Sequence, residues 1–481
     1  MRVKMILPAL TEATSPYFRP IKYSLFPPLG LATLAGYLNP DDSIEIQDEH
    51  IENLDLTDTP DLVVIEAYIT SAKRAYQLGD HYRSRGAHVC IGGVHPSSQP
   101  DEAAKHADTV FAGPGEDTWP RFLHDFARGM PAPFYQSTIR SLVDTPPLRR
   151  DLLKRNRYLV PNSLVVSRGC PHRCDFCYKE PFFKGGRSFY TQKVDDALAQ
   201  IEALPGRHLF FLDDNLFANP RFAAALFEGM RGMGRLWQAA GTVQAALDTS
   251  LLDQAVACGL RSLFVGFESL SEASLREQHK NHNHFQQYRQ AIANLQERRV
   301  MINASFVFGM DHDDQSVFDH TVDWAIDHGL ETATFHILTP YPGTRLYSRL
   351  QKQGRILTDD WNLYDTRHSV FQPAHMSVGQ LEQGYWRSYR RFYRWSSILK
   401  AASQKPNRLA QLRHLAYSAG WKKFEFLWNP IVKIGMVAHM RPLLEKILAA
   451  TKGQASKSLT PQREQSINDR KLIGIKNRKA A

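Results

Sequence analysis

Cys170, Cys174 and Cys177 lie four and then three residues apart in the stretch Ser167-Arg168-Gly169-Cys170-Pro171-His172-Arg173-Cys174-Asp175-Phe176-Cys177-Tyr178. A short apolar, strand-like run precedes them. Thiolates hold iron–sulfur clusters, and ligands this close in sequence converge at low closure entropy. Three thiolates leave one iron of a four-iron cube open to a further ligand. Zinc is the competing reading, but a structural zinc site is closed by four ligands. No fourth Cys is near, although His172 is. Three clustered cysteines do not pair evenly into disulfides.

Composition sets the surroundings. A chain of 481 residues holds two or three domains and buries a sizeable core. A 43% hydrophobic and 22% charged composition is that of a globular protein. Five cysteines, three of them clustered, argue against a secreted disulfide scaffold. Cys90 and Cys258 read as buried structural residues. The apolar run that ends at Pro8 is too short for a signal peptide, and there is no apolar run of about 18 residues to span a membrane. A cytoplasmic location is expected, and its reducing conditions suit an oxygen-sensitive cluster. Net charge is +10. Much of the excess lies late, at Arg387, Arg390, Arg391 and Arg394 and in the tail; no nucleic-acid motif accompanies it, so no nucleic acid is expected as partner.

The elements that position the cysteines follow from alternation. In residues 1–135, Val3–Leu7, Ser43–Gln47, Leu62–Ala67, His88–Ile91 and Thr109–Ala112 read as strands, with helices at Leu29–Leu38, Ala72–Arg85 and about Pro100–His106. This pattern predicts a Rossmann-like, doubly wound parallel sheet with its ligand beyond the carboxyl ends of the strands. The glycine-bearing loops Gly92-Gly93-Val94-His95-Pro96 and Gly113-Pro114-Gly115-Glu116-Asp117 lie there. Residues 136–160 form a basic, proline-punctuated linker. In residues 161–345, strands at Ser163–Ser167, Leu209–Asp213, Trp237–Ala240, Leu263–Glu268, Asn303–Phe308 and Ala333–Leu338 alternate with helices. Six such units predict a partial (β/α)6 barrel of the TIM type, whose chemistry sits at carboxyl strand ends. The cysteine loop follows the first strand.

Residues 346–450 read as mainly helical. Trp361–His368 is either a lid or a packing segment. Val378–Lys400 reads as one helix packed on the barrel. Trp421–Ala450 mixes aromatic and basic residues and reads either as a membrane-surface helix or as a docking helix. Residues 451–481 form a basic, disordered tail suited to anionic lipid.

The spacing Cys-x-x-x-Cys-x-x-Cys, with Phe176 before the third cysteine, resembles the signature of radical S-adenosylmethionine enzymes. Pro27-Pro28-Leu29-Gly30-Leu31-Ala32, Gly92-Gly93-Val94-His95-Pro96 and Gly113-x-Gly115-Glu116 resemble the cobalamin-binding domain that precedes many such cores. The resemblance implies a 4Fe–4S cluster on Cys170, Cys174 and Cys177, with S-adenosylmethionine on the open iron. It places Phe176, Asp213, Asp214, Glu268, Ser269 and Lys280 at that cofactor: Asp213 or Asp214 at the methionyl ammonium, Glu268 or Ser269 at the ribose, Lys280 at the methionyl carboxylate. Strand-end turns and helix caps are the competing readings for Asp214 and Ser269. It places Gly92, Gly93, His95, Gly113, Gly115 and Glu116 at cobalamin. The chain has no Asp-x-His-x-x-Gly segment, so no histidine is expected below the cobalt. The competing reading is a degenerate domain that caps the core without cobalamin.

The implied activity is methylation of an unactivated carbon in a small-molecule or lipid-like substrate, with an electron donor such as flavodoxin or ferredoxin. Peripheral membrane contact through the C-terminal region is a further expectation. The alternatives are radical cyclisation, oxidation or rearrangement without methyl transfer, and a non-catalytic sensor.

Overall fold

The computed structural model describes residues 1–10, 25–423 and 425–450. Six parallel strands form the first sheet: β1 (Arg2–Leu7), β2 (Ser43–Asp48), β3 (Leu62–Glu66), β4 (His88–Gly92), β5 (Thr109–Ala112) and β6 (Phe134–Gln136). Their order is β2-β1-β3-β4-β5-β6. Side chains alternate to opposite faces along each strand. Leu62 and Val64 therefore pack with the helices Leu29–Ala35 and Thr118–Ala127, while Val63 and Ile65 pack with Ala72–Ser84. Both faces are covered, as a parallel sheet requires. β6 and the helix Thr118–Ala127 extend the sequence reading.

A second sheet carries β7 (Ser163–Leu164), β10 (His208–Phe211), β11 (Leu236–Gly241), β12 (Leu260–Glu268), β13 (Met301–Phe308) and β14 (Thr332–Ile337). All neighbours are parallel, in the order β14-β13-β12-β11-β10-β7. This is the expected six-unit partial barrel. Its first strand is interrupted. After Leu164 the chain leaves the sheet, and β8 (Ser167–Gly169) pairs antiparallel with β9 (Phe189–Thr191). One apolar cluster fills the barrel and its helix layer, with Phe211, Trp237, Phe267 and Phe306 fully buried.

The segment 136–160 drapes over both sheets. The Tyr158 hydroxyl donates to Asp48 at 2.8 Å, the Arg149 N–H to the Ala32 carbonyl and the Arg150 guanidinium to the Ser163 carbonyl. Trp361 and Tyr364 pack against the first domain, and the Trp361 indole N–H donates to Glu102 at 3.0 Å. This segment is packing, not a lid.

The expected helix Val378–Lys400 is two helices, Val378–Phe392 and Trp395–Ser403. The Tyr393 hydroxyl bonds both the N–H and the carbonyl of Ala333, at 3.1 and 2.9 Å, and Arg394 turns extended with φ −71° and ψ 150°. Tertiary pinning on β14 breaks a stretch that contains no helix-breaking residue. From Trp421 to Ala450, Val432, Val437 and Leu448 are buried against Leu159, Val160, Leu236 and Met301. Docking on the core is what this segment does. Among the described residues no helix is long and apolar enough to cross a membrane. The tail 451–481 lies outside the described residues.

Candidate functional site

The cysteine loop is fixed from several sides. Gly169 has φ +77°, and a Cβ there would stand 2.0 Å from the Ser188 carbonyl oxygen, so the approach of β8 to β9 requires glycine. Cys170 N–H donates to that same carbonyl at 2.9 Å, and Cys177 N–H to the Cys174 carbonyl at 3.1 Å. Asp175 N–H donates to Gln278, and Leu346 N–H to the Asp175 carbonyl, each at 3.1 Å. The Asp175 carboxylate meets Arg349 at 3.4 Å and His279 at 3.0 Å, and Arg349 continues to Glu277 at 2.8 Å. The loop is thereby clamped to the helix Arg345–Lys352 and to the segment after β12.

Cys170 and Cys174 are buried and Cys177 is half-buried. The three thiols interact electrostatically with one another. Burial pushes the Cys174 thiol up to about 11. A bound iron ion overrides this, since coordination deprotonates a thiol outright. The Asn215 amide lies 3.9 Å from the Cys170 sulfur. Among the described residues no three His, Cys, Asp or Glu side chains converge as one metal ion needs. In a four-iron cube each thiolate binds its own iron, and three thiolates on one loop are a donor set that fits such a cluster.

The polar residues expected around S-adenosylmethionine divide. Asp214 stays at the cysteine loop: its carboxylate accepts from Gly169 N–H at 3.1 Å and the Tyr178 hydroxyl at 3.2 Å, with the Lys179 ammonium at 3.3 Å. Asp213 turns to the backbone of the strand that leads into the cysteines. It is 2% exposed and accepts from the N–H and hydroxyl of Ser167, each at 2.5 Å, and from Val166 N–H at 3.2 Å. It braces the chain where β7 leads into β8, and burial pushes its carboxyl up to about 7.

Glu268 and Lys280 form a buried pair at 2.9 Å, with the Ser305 hydroxyl donating to Glu268 at 3.2 Å. Burial opposes the Lys280 charge, but the Glu268 carboxylate together with the thiols of Cys174 and Cys177 holds the lysine above its ordinary value. Lys280 is thus engaged by Glu268 and stands beside the cysteine loop. Glu268 has φ +66°, rare for a side-chain-bearing residue, at an irregularity of the β12–β13 register. Ser269 is buried and accepts from Ser271 N–H at 3.1 Å, so its hydroxyl shapes the turn into the next helix. Phe176 packs against the barrel core.

The carboxyl ends of the first sheet open on a cleft of about 770 Å³, part of it open to solvent. Gly30, Glu66, Gly92, Gly93, Gly113, Gly115 and Glu116 line it from the first domain, and Arg168 and Phe182 from the second. Gly93 and Gly113 have φ +117° and +84°, and a Cβ on Gly93 would stand 2.7 Å from the Ala67 carbonyl oxygen. A cradle of glycine backbone suits a broad, flat ligand. Burial pushes the Glu66 carboxyl up. Glu116 bridges to Arg168 at 2.7 Å, joining the cleft to the strand that leads into the cysteines.

Of the expected cleft residues, His95 alone is absent. It is fully buried, edge-on to Trp361 with centroids 5.4 Å apart, and 3.5 Å from Glu102. The helix Val94–Ser98 carries it away from the cleft. Sequence reading missed Arg168 and Glu66, because a charge that faces a cleft across a domain boundary leaves no local pattern. It also missed the Asp175–Arg349 clamp, whose partners are far apart in the chain.

A model of the Radical SAM superfamily matches residues 164–325, and a domain of unknown function, DUF4070, matches residues 344–461. Bacteriochlorophyllide d C-12(1)-methyltransferase of Chlorobaculum tepidum is 31% identical over 359 residues, which cover 72% of this chain and 77% of that protein. Bacteriochlorophyllide d C-8(2)-methyltransferase of the same organism is 26% identical, covering 86% and 97%. Among solved structures, the radical S-adenosylmethionine methyltransferase TsrM of Kitasatospora setae, bound to tryptophan and an S-adenosylmethionine analogue, has a TM-score of 0.63 at 15% identity, covering 92% of this chain and 99% of that one. The cobalamin-dependent S-adenosylmethionine radical enzyme OxsB, with aqua-cobalamin and S-adenosylmethionine, has a TM-score of 0.65 at 13% identity, covering 97% and 82%. Both structural likenesses concern the fold.

Proposed function

Since this chain belongs to the radical S-adenosylmethionine superfamily, among the enzymes that carry a cobalamin-type domain ahead of the barrel, we propose that it methylates an unactivated carbon of a small-molecule or lipid-like substrate. The observation that carries this reading is the glycine-lined cleft, which meets the cysteine-bearing strand through Glu116 and Arg168. A methyl carrier and a radical source need to face one substrate, and this boundary brings their two loops together.

In this reading Cys170, Cys174 and Cys177 hold a 4Fe–4S cluster, and Asp214 is the carboxylate beside the place where S-adenosylmethionine meets it. Gly92, Gly93, Gly113 and Gly115 give cobalamin a backbone floor, and Glu116 and Arg168 flank it. When bound, the cluster supplies the electron that cleaves S-adenosylmethionine, and cobalamin carries the methyl group. The protein orients these groups and excludes water from the reacting carbon. Asp213 and the Asp175–Arg349 clamp keep the cysteine loop in register. An electron donor of the flavodoxin or ferredoxin class supplies the reducing equivalent.

The test is anaerobic. Protein made with hydroxocobalamin and reconstituted with iron and sulfide should keep a corrin absorption band through gel filtration. Its reduced cluster should give a paramagnetic signal that S-adenosylmethionine alters. With substrate, S-adenosylhomocysteine and 5′-deoxyadenosine should form together. Deoxyadenosine without S-adenosylhomocysteine would remove methyl transfer and leave cyclisation, oxidation or rearrangement. Cys174→Ala should abolish deoxyadenosine formation; unchanged formation would remove the ligand role.

A further inference from the structure

The helix Arg408–Ser418 is inverted. Three of its polar residues face inward: Arg413 donates to the Arg299 carbonyl at 3.0 Å, the Ser418 hydroxyl donates to the Glu331 carbonyl at 2.5 Å, and His414 lies buried beside Glu331. Glu331 also pairs with buried Lys405 at 2.5 Å. Its apolar residues face outward, with Leu409 52% and Leu412 63% exposed. The preceding helix Trp395–Ser403 packs against it and likewise turns Trp395 and Leu399, one turn apart, to solvent. The Lys423 ammonium sits 5.7 Å from the Trp395 ring centroid. On the helix Val378–Phe392, Trp386 and Arg390 share an exposed face. Contiguous exposed apolar surface of this kind marks an interaction site.

Charge says what covers it. Residues 383–424 contain ten Lys and Arg and no Asp or Glu. Arg387, Arg391 and Lys400 are met by Asp319, Asp323 and Asp327 of the helix Val317–Asp327. Among the described residues no carboxylate pairs with Arg390, Arg394 or Arg408. A second copy would set cations against cations. The remaining C-terminal residues, 451–481, are themselves basic, with eight Lys and Arg against two Asp and Glu. Tryptophan and leucine ringed by arginine and lysine match the apolar boundary and anionic headgroups of a lipid surface.

We propose that this face docks on the surface of an anionic lipid bilayer. Its orientation follows from the barrel. Arg299 and Glu331 precede β13 and β14, so the face lies at the amino ends of the strands. The cysteine loop and the cleft lie at the carboxyl ends. Docking therefore turns the catalytic mouth away from the bilayer and acts as a tether, leaving the reaction geometry untouched. The inference stands on the surface alone and does not depend on methyl transfer.

The test floats the full-length protein with phosphatidylcholine vesicles, with and without phosphatidylglycerol. Flotation is expected only with phosphatidylglycerol, and high salt should release the protein. Leu409→Glu with Leu412→Glu should abolish flotation while circular dichroism and deoxyadenosine formation stay unchanged, since both leucines are exposed and remote from the cysteines. Arg390→Gln and Arg394→Gln should each weaken partitioning by about fivefold. Equal flotation with neutral vesicles, undiminished flotation of the double leucine variant, or a dimer that the leucine variant dissolves in the absence of flotation would each overturn the proposal.

Discussion

At the scale of single residues, the buried charges around the site decide between chemistry and support. Glu268 and Lys280 are 11% and 9% exposed in their side chains. Removing one partner of such a pair leaves an uncompensated buried charge, which costs about 3–5 kcal/mol. Lys280→Met should therefore lower the melting temperature sharply, and adding Glu268→Gln should recover much of the loss. A second variant as unstable as the first would show that Lys280 acts through contacts other than Glu268. Asp313 supplies a pH dependence. It accepts from Gly309 and Met310 N–H, both at 3.0 Å, and burial pushes its carboxyl up to about 7. The folded value lies above the unfolded one, so the native state holds the extra proton. The stabilisation is fully present below about pH 4 and is lost as pH rises through about 7, at no more than about 1.4 kcal/mol per pH unit for this one group. Asp313→Asn should flatten the fall in melting temperature between about pH 5 and 7; parallel curves for the two proteins would rule the carboxyl out as its source.

At the scale of elements, most of the strands were legible because they are buried on both faces and read as continuous apolar runs, such as Leu62–Glu66 and Met301–Phe308. The departures have tertiary causes. The first barrel strand stops at Leu164 because Asp213 captures the backbone of Val166 and Ser167, and β8 then turns to meet β9. The cysteines were legible from spacing alone. The bonds of Asp213 to Val166 and Ser167 left no mark in the sequence, because a strand-end carboxylate looks the same whether it faces a ligand or the backbone. The burial of His95 was not legible, because the loop after Gly93 turns into a short helix that encloses it. The expected glycines Gly92, Gly93, Gly113 and Gly115 all line the cleft, and Gly93 and Gly113 carry the positive φ that leaves a residue-type mark. Gly113→Ala tests that element directly. At φ +84° a methyl group meets the Phe182 carbonyl and Ser137, both at 3.1 Å. A left-handed conformation costs a non-glycine residue about 1–2 kcal/mol. The expected outcome is a modest fall in melting temperature together with loss of the corrin band expected to co-elute with wild-type protein. Retention of the full band with lowered stability would confine Gly113 to a backbone role.

At the scale of the whole molecule, the chain reads as separate domains joined by a linker, yet the structure ties them at several points. Tyr158 reaches Asp48, Trp361 reaches Glu102, and Arg168 reaches Glu116. The third tie is the one at the cleft. Glu116 is 9% exposed in its side chain and Arg168 29%. Burial lowers the arginine's basicity, and the Glu116 carboxylate, with Tyr190 and Asp214, more than restores it. Arg168→Met keeps the length of the side chain but strands Glu116 in the cleft. Partial exposure of the arginine limits the cost to about 1–2 kcal/mol, below that of a fully buried pair. That is enough to separate the two sheets more often, and the arginines of the segment 136–160 report it. Arg155 and Arg157 lie in a short turn between Lys154 and Tyr158, which reach Glu52 and Asp48 of the first domain. Trypsin should cut there several times faster in Arg168→Met than in wild type, and heat should resolve two transitions where wild type shows one. Glu116→Gln added to Arg168→Met should bring both readouts back toward wild type, because a neutral amide tolerates the unpaired cleft. An unchanged cleavage rate with a single transition in Arg168→Met would mean that Tyr158 and Trp361 suffice to hold the domains, and that the Glu116–Arg168 pair serves the cleft alone.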